Sequence, residues 1–365
     1  MGPWRCGLSV CQRGRAAGPP LPVPVPQSRW REPASTRYNT DMTVTPFDPR
    51  LGLREQLACW HEVASAADRH DDPGRTPLPA AAHAAVLRAP RPDGTVRRWL
   101  GCADGAVVGL GELFLSDREN LGWGFAEVTV HPRHRRSGHG TALLAALRTA
   151  AGDAGRDTLV LSAVQGTPGP DWAAAQGARK AQELWESEAD LGALDPAALG
   201  DRPAPGYRLV CWSDEVPGEL LASYAAAVDA MADSPDGGLG YRSAPNSPEL
   251  VRARERCARA AGLQRRVVAA VHEASGAVAG LTVLEIPLLA PELAHQDDTV
   301  VVPTHRGHGL GLWVKAEMVR RLAADGGVVR RVRTTTDPSN RHMLAINERL
   351  GFRRIGVREQ WKLSV

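Results

Sequence analysis

The 365-residue chain contains no apolar run that approaches the length of a membrane span, which excludes a transmembrane helix as its organising feature. Its six cysteines, Cys6, Cys11, Cys59, Cys102, Cys211 and Cys257, form no Cys-x-x-Cys pair and no His/Cys spacing of a zinc site. The expectation is therefore reduced thiols, no metal, and a cytoplasmic protein without a signal peptide. Excess charge is also scarce. The 44 Lys and Arg against 41 Asp and Glu leave a formal net charge of +3, too little to make nucleic acid the main partner. Tyrosine is limited to Tyr38, Tyr207, Tyr224 and Tyr241, so few positions offer a phenol as an acid. Two common phosphate-loop signatures are missing as well. No glycine loop ends in Gly-Lys-Ser/Thr, as a P-loop requires. Where a dinucleotide fingerprint needs its third glycine, three residues after the second, the chain has Leu143 and Leu312.

What the chain does have, it has twice. Val130-His-Pro-Arg-His-Arg-Arg-Ser-Gly-His-Gly140 is matched by Val301-Val-Pro-Thr-His-Arg-Gly-His-Gly-Leu-Gly311. Each follows a short apolar strand, Phe125 to Val130 and Thr299 to Val302, that stops at a proline unable to donate to a sheet ladder. Each then turns through glycines into a helix, with Leu143, Leu144 and Leu147 on one apolar face and Val314, Met318 and Leu322 on the other. Such a helix start gathers unsatisfied N–H groups and a positive dipole end, which suits phosphate oxygens. Glycine lets the phosphate approach the backbone. Arg133, Arg135, Arg136 and His139 in the first copy, and His305, Arg306 and His308 in the second, add positive charge. Two copies with matching flanks point to a repeated architecture rather than to a chance turn.

Both copies share Arg-x-x-Gly-x-Gly (Arg135, Gly138, Gly140; Arg306, Gly309, Gly311). This resembles the coenzyme-A loop of the GCN5-related N-acetyltransferases, the GNAT superfamily. The resemblance implies an α/β fold of two tandem domains, each a mixed twisted β-sheet flanked by helices, with the pyrophosphate of acetyl-CoA cradled by the loop. The residues so implicated in cofactor binding are Val130, Arg135, Arg136, Ser137, Gly138, His139, Gly140 and Thr141, and Val301, Arg306, Gly307, His308, Gly309, Leu310 and Gly311. The second half adds Asn340-Arg-His-Met-Leu-Ala-Ile-Asn-Glu-Arg-Leu-Gly-Phe352, similar to the family's Asn, helix, Gly-Phe stretch beside the pantetheine arm. That similarity brings in Asn340 and Asn347. The first half has only Gly177-Ala178 there.

Composition divides the chain. Residues 1–41, with the polyproline-like run at 19–26 and six arginines against Glu32 and Asp41, read as a disordered tail, and Met42 reads as the biological start. Residues 42–195 read as the first domain, 196–206 as a Pro/Gly/Ala-rich linker and 207–365 as the second domain. Hairpins are expected around Ala103-Asp-Gly and Ser275-Gly276, and Gln182 to Asp190 is expected to close the first sheet.

Acyl transfer to an amine requires a base, a stabilised carbonyl oxygen and a leaving thiolate. Glu127 and Asp298, each three residues before the aligned valines, are the candidate catalytic bases, and N–H groups around Val130 and Val301 would polarise the thioester. Many relatives place a thiolate-protonating tyrosine seven residues after the helix-opening asparagine. That position is Asn347 here, and an amide is no general acid. The expected function is N-acetyl transfer from acetyl-CoA to a small-molecule or peptide amine, with no nucleic-acid or membrane partner. A second reading is a non-catalytic acyl-CoA sensor or scaffold.

Overall fold

Apolar residues alternate on either side of Asp104-Gly105, and the two segments pair as a hairpin, with both turn residues left-handed (φ 49° and 77°) as a tight two-residue turn demands. The computed structural model describes residues 36–38, 40–72, 77–195 and 203–365. By contacts the chain forms two units, one running to Lys180 and taking up Gln360–Val365, the other Ala181–Glu359.

In the first unit the order is β1 (Thr36–Tyr38), β2 (Thr40–Pro46), α1 (Arg54–Asp71), α2 (Ala80–Arg88), β3 (Gly94–Ala103), β4 (Ala106–Ser116), β5 (Trp123–Val130), α3 (His139–Gly152), β6 (Thr158–Val164) and α4 (Gly169–Ala175). Strands β1 to β5 are antiparallel neighbours, and β5 pairs in parallel with β6. The leucines of α3 at i, i+1 and i+4 (Leu143, Leu144, Leu147) are buried against Leu113 and Leu159 on one face of the sheet. Leu57, Trp60 and Val63 of α1 cover Leu100 and Leu110 on the other. Burying each such side chain stabilises the unit by about 1.5–3 kcal/mol, which makes these two stripes the framework of the fold.

The second unit comprises β7 (Arg179–Asp190, from Ala181), β8 (Tyr207–Ser213), α5 (Leu221–Asp229), α6 (Pro248–Ala260), β9 (Leu263–His272), β10 (Val278–Pro287), β11 (Leu293–Val301), α7 (Leu310–Ala324), β12 (Arg331–Thr336), α8 (Arg341–Arg349) and β13 (Arg353–Ser364, to Glu359). Its order repeats the first: antiparallel β8, β9, β10 and β11, then β12 parallel to β11. Leu310, Val314, Met318 and Leu322 of α7 pack against Leu284 and Val332, and Tyr224 and Val228 of α5 cover Val267 and Leu281 on the opposite face.

Three boundaries differ from the sequence expectation. Thr36–Tyr38 and the start of β2 form a strand pair inside the stretch expected as a tail, because Thr36 and Arg37 find partners in Val44 and Thr43. Residues 1–35 lie outside the described residues, as do 196–202 of the expected linker. The largest difference is β7, expected to close the first sheet. Its Trp185 to Asp190 pair antiparallel with Thr336 to Arg331 of β12, so the second unit begins at Ala181 rather than 207. Charge supports this register, since Glu188 accepts from Arg333 Nε at 2.6 Å and Arg331 Nη1 at 3.3 Å; Glu186 accepts from Arg358 Nε of β13 at 2.9 Å. The chain end compensates in the first unit, where Leu363 joins the core and Val365 N donates to Asp157 O.

Candidate active site

Both glycine loops fold identically. The proline opens a single tight turn, Pro132–His134 or Pro303–His305. Two left-handed residues follow at matching places: Arg136 (φ 68°) and Gly138 (φ 80°) in the first, Gly307 (φ 86°) and Gly309 (φ 75°) in the second. Gly138 and Gly309 cap α3 and α7. The first helical bonds run from Ala142 N to Gly138 O and from Trp313 N to Gly309 O. The N–H groups of His139, Gly140 and Thr141, and of Leu310, Gly311 and Leu312, therefore have no helical acceptor. Space for an anion is present: a Cβ built on Gly307 or Gly309 meets no atom within 4 Å. Ser137, Thr141 and His308 are exposed around these donors, while the Leu310 side chain turns into the core. His139 is 8% exposed and its Nδ1 has no protein partner. Unsatisfied donors beside open space can receive phosphate oxygens, so the residues present fit acetyl-CoA.

The loop arginines hold the turn rather than reach into it. Arg135 donates through Nε to Val130 O (3.2 Å) and through both Nη atoms to Asp71, the last residue of α1 (2.7 and 2.8 Å). Arg306 repeats this with Val301 O (3.2 Å) and Asp233 (2.7 Å), which ends the turn after α5. Because the first pair is bidentate and largely buried and the second is half exposed, Asp71→Asn should destabilise by about 1–2 kcal/mol and Asp233→Asn by less than about 1. Thermal melting of the two variants checks this, and the reverse order would contradict it.

Above each loop the parallel strands part. β5 and β6 are paired only from Trp123/Thr158 to Ala126/Leu161, and β11 and β12 only from Leu293/Arg331 to His295/Arg333. Beyond these points β11 keeps only its antiparallel neighbour. Val302 N donates to Ala279 O, and antiparallel alternation then turns the N–H and C=O of Val301 to the other edge, toward the parting. The Val301 carbonyl is held by Arg306, which leaves its N–H directed at the opening. Val130 is placed in the same way by His131 N on Val108 O and by Arg135.

The units diverge at the candidate bases. Glu127 lies exposed on a regular strand, opposite Glu112, whose carboxylate accepts from Arg98 Nε at 2.6 Å. Asp298 lies in a β-bulge: Thr282 faces Thr299 and Leu284 faces Gln296, so one residue of β10 opposes both Asp297 and Asp298. Bulges re-aim side chains next to reactive sites. The bulge lies beside a largely buried polar group that nothing local in the sequence brings together: Arg265 of β9 pairs with Glu285 of β10 (3.5 Å) and with Asp297 (3.8 Å), and the charges of Asp297 and Asp298 both act on Arg265 and on Tyr224 of α5. Burial, with Asp298, Asp297 and Glu255 adding to it against the Arg265 charge, pushes the Tyr224 phenol up to about 12, so it stays protonated.

Asn340 caps α8, its Oδ1 accepting from Met343 N at 3.1 Å. A Cβ on Gly311 would lie 3.3 Å from Ile346 Cδ1 and 3.6 Å from Val301 Cγ2, which brings α8 to the mouth of the opening. In the first unit Trp172 of α4 fills the corresponding place, 3.4 Å from a Cβ on Gly140. Asn347, expected to line the cofactor, is 3% exposed. Its Oδ1 accepts from Lys315 Nζ (2.6 Å) and its Nδ2 donates to Thr336 Oγ1 (3.2 Å).

On the α1/α2 side of the first unit, His61 and His83 place their Nδ1 atoms 3.3 Å apart. Burial, with His61 and Arg98 adding to it, pushes His83 down to about 4, and burial lowers His61 too. The unfolded state then binds protons more readily. Stability from His83 is full above about pH 6.5 and is lost as pH falls toward 4, by up to about 3 kcal/mol. Melting between pH 4 and pH 7 should show this slope, and His83→Gln should flatten it; an unchanged slope would refute the assignment.

Residues 60–167 and 240–352 match the acetyltransferase (GNAT) family, and the chain belongs to that family as a member with two such domains. A tandem GNAT protein from the clavulanic acid biosynthesis pathway superposes with a TM-score of 0.76 at 28% identity, over 88% of this chain and 98% of that one. A GCN5-related N-acetyltransferase from Sphaerobacter thermophilus shares the fold, with a TM-score of 0.63 at 16% identity, over 88% and 95% of the two chains. Mycothiol acetyltransferase from Kineococcus radiotolerans is 38% identical over 144 residues, 39% of this chain and 45% of that protein, so the match spans less than half of that relative's length. Among the described residues no helix is long and apolar enough to cross a membrane, and no cluster of three or more His, Cys, Asp or Glu is arranged to hold a metal.

Proposed function

We propose that the protein is an N-acetyltransferase that moves an acetyl group from acetyl-CoA to the amine of a small molecule or peptide, with the chemistry in the second unit. The observation that carries this is the convergence, at the parting of β11 and β12, of a free-edged Val301 N–H, a bulged Asp298 and the Gly307–Gly311 cradle. Acetyl-CoA supplies the activated acyl group as a thioester. The N–H groups of Leu310, Gly311 and Leu312 bind its pyrophosphate at the start of α7. The Val301 N–H donates to the thioester oxygen as charge develops there. Asp298 takes the proton of the attacking amine, directly or through water. The first unit has the same cradle but a regular β5 and Trp172 over Gly140, which supports a binding role for it.

A small-molecule acceptor is supported by the likeness to mycothiol acetyltransferase. Incubation with acetyl-CoA and a panel of primary amines, followed by detection of free thiol, tests the proposal. Amine-dependent thiol release is expected. Tight binding of acetyl-CoA with no release across the panel would favour the sensor reading instead.

A further inference from the structure

Lys315 is the least expected side chain of the second unit. It lies on α7 one turn after Gly311, is 2% exposed, and among the described residues makes one hydrogen bond, to Asn347 Oδ1 at 2.6 Å. The Phe352 ring sits 5.0 Å from its ammonium. Among the described residues no carboxylate pairs with it. α8 presents Asn347, the start of the following segment presents Phe352, and β12 presents Thr336. The acid next to Thr336 in the chain, Asp337, is itself bound by Ser339 N and Oγ and by Gln182 Nε2. Glu317 of α7 is paired with Arg320 and Arg321. A buried ammonium with one neutral acceptor is destabilising unless a negative charge arrives at the site.

The hydrogen bonds from this lysine run in one direction. Lys315 Nζ donates to Asn347 Oδ1, and Asn347 Nδ2 donates to Thr336 Oγ1 at 3.2 Å. With its oxygen accepting from Asn347, the Thr336 hydroxyl keeps its own hydrogen to donate. Thr336 lies on the stretch of β12 beyond its last pair with β11, bordering the opening where the thioester is placed under the proposed function. A chain of donors headed by a cation polarises the last O–H toward an incoming anion.

We propose that Lys315 is a positioning residue that supports departure of the coenzyme-A thiolate, acting through Asn347 and the Thr336 hydroxyl. This inference rests on the proposed placement of acetyl-CoA in the second unit. The amine nitrogen bonds to the acyl carbon, and the C–S bond breaks with its electron pair on sulfur. The amine proton goes to Asp298 or to solvent, and the thiolate takes a proton from water afterwards. Thr336 donates a hydrogen bond to the sulfur and keeps its proton. Lys315 loses no proton in the step and supplies a fixed positive charge. The arrangement fills the role that Asn347, as an amide, cannot perform alone.

The test needs no acceptor. Coenzyme A is bound to the full-length protein, and its thiolate is titrated by ultraviolet absorbance in the wild type, Lys315→Met and Thr336→Val, with Kd measured by calorimetry. Burial alone lowers the Lys315 pKa, to about 7 in the empty site, and a thiolate beside the chain would hold the ammonium protonated. The wild type is expected to lower the bound thiol by about one unit or more from the value that free coenzyme A shows in the same titration. Both variants are expected to restore that value, while Kd measured at about pH 6, where the thiol is protonated in all three proteins, changes less than twofold. Lys315→Met should also melt no lower than the wild type, since it removes an uncompensated buried charge. An unshifted thiol in the wild type, or the same shift in all three proteins, overturns the inference and leaves the proposed function standing. Should Lys315→Met fail to fold, the thiol titration of Thr336→Val against the wild type decides between the same two outcomes. Failure of the wild type to bind coenzyme A overturns the placement itself, and this inference with it.

Discussion

Gly309→Glu is expected to abolish turnover in a protein that still folds. A Cβ at this position meets nothing within 4 Å, so the penalty is limited to a left-handed residue at φ 75°, about 1–3 kcal/mol. The loss of function has another origin. The new carboxylate stands at the start of α7, among the N–H groups assigned to the pyrophosphate, and one anion excludes another there. The matching Gly138→Glu occupies the same conformation (φ 80°) in the first unit, and should lower stability or remove one equivalent of coenzyme binding while turnover persists. Turnover and melting of both variants check the pair. Full turnover in Gly309→Glu would overturn the assignment, and a loss confined to Gly138→Glu would move the chemistry to the first unit.

Asp298→Asn is expected to lower kcat by on the order of 10²-fold or more with little change in acetyl-CoA affinity. The amide keeps the shape of the side chain in the bulge and removes its capacity to take a proton. Because the acid acts on the acceptor and not on the coenzyme, KM for acetyl-CoA should hold while kcat falls. Glu127→Gln, on the unbulged strand of the first unit, should leave kcat within about twofold, as expected of a surface substitution away from the reacting atoms. Steady-state kinetics on a responding amine separates them. Equal activity of Asp298→Asn and wild type would remove Asp298 from the mechanism.

Much of the loop geometry was legible in the sequence because its determinants are local. A proline that ends a strand, glycines at left-handed positions and an apolar helical period each act within a few residues, and both loops fold as that pattern requires. Asn340 announced itself in the same way, as a cap three residues before the N–H it satisfies. The features that escaped are those whose partners are remote. Arg135 and Arg306 read as phosphate ligands, but their carboxylates stand 64 and 73 residues upstream, where nothing local marks Asp71 or Asp233. β7 was visible as a strand, whereas its pairing with β12 depends on Glu188 meeting Arg331 and Arg333 more than 140 residues later. Alternation specifies a buried face, not a neighbour. Lys315 sits in Trp-Val-Lys-Ala-Glu-Met and reads as a solvated helix residue. Only the approach of α8 and Phe352 buries it. The bulge at Asp297–Asp298 leaves no trace in the strand's composition, since it is a property of register with β10.

Whether the Gly307–Gly311 turn of the second unit is an acyl-coenzyme-A site is decided by calorimetric titration of acetyl-CoA into the full-length wild type and the Gly309→Glu variant. Saturable binding by the wild type is expected, with the loss of one equivalent in a variant that melting shows to be folded. Binding of the same stoichiometry and affinity in both proteins, or none in the wild type, would refute the assignment.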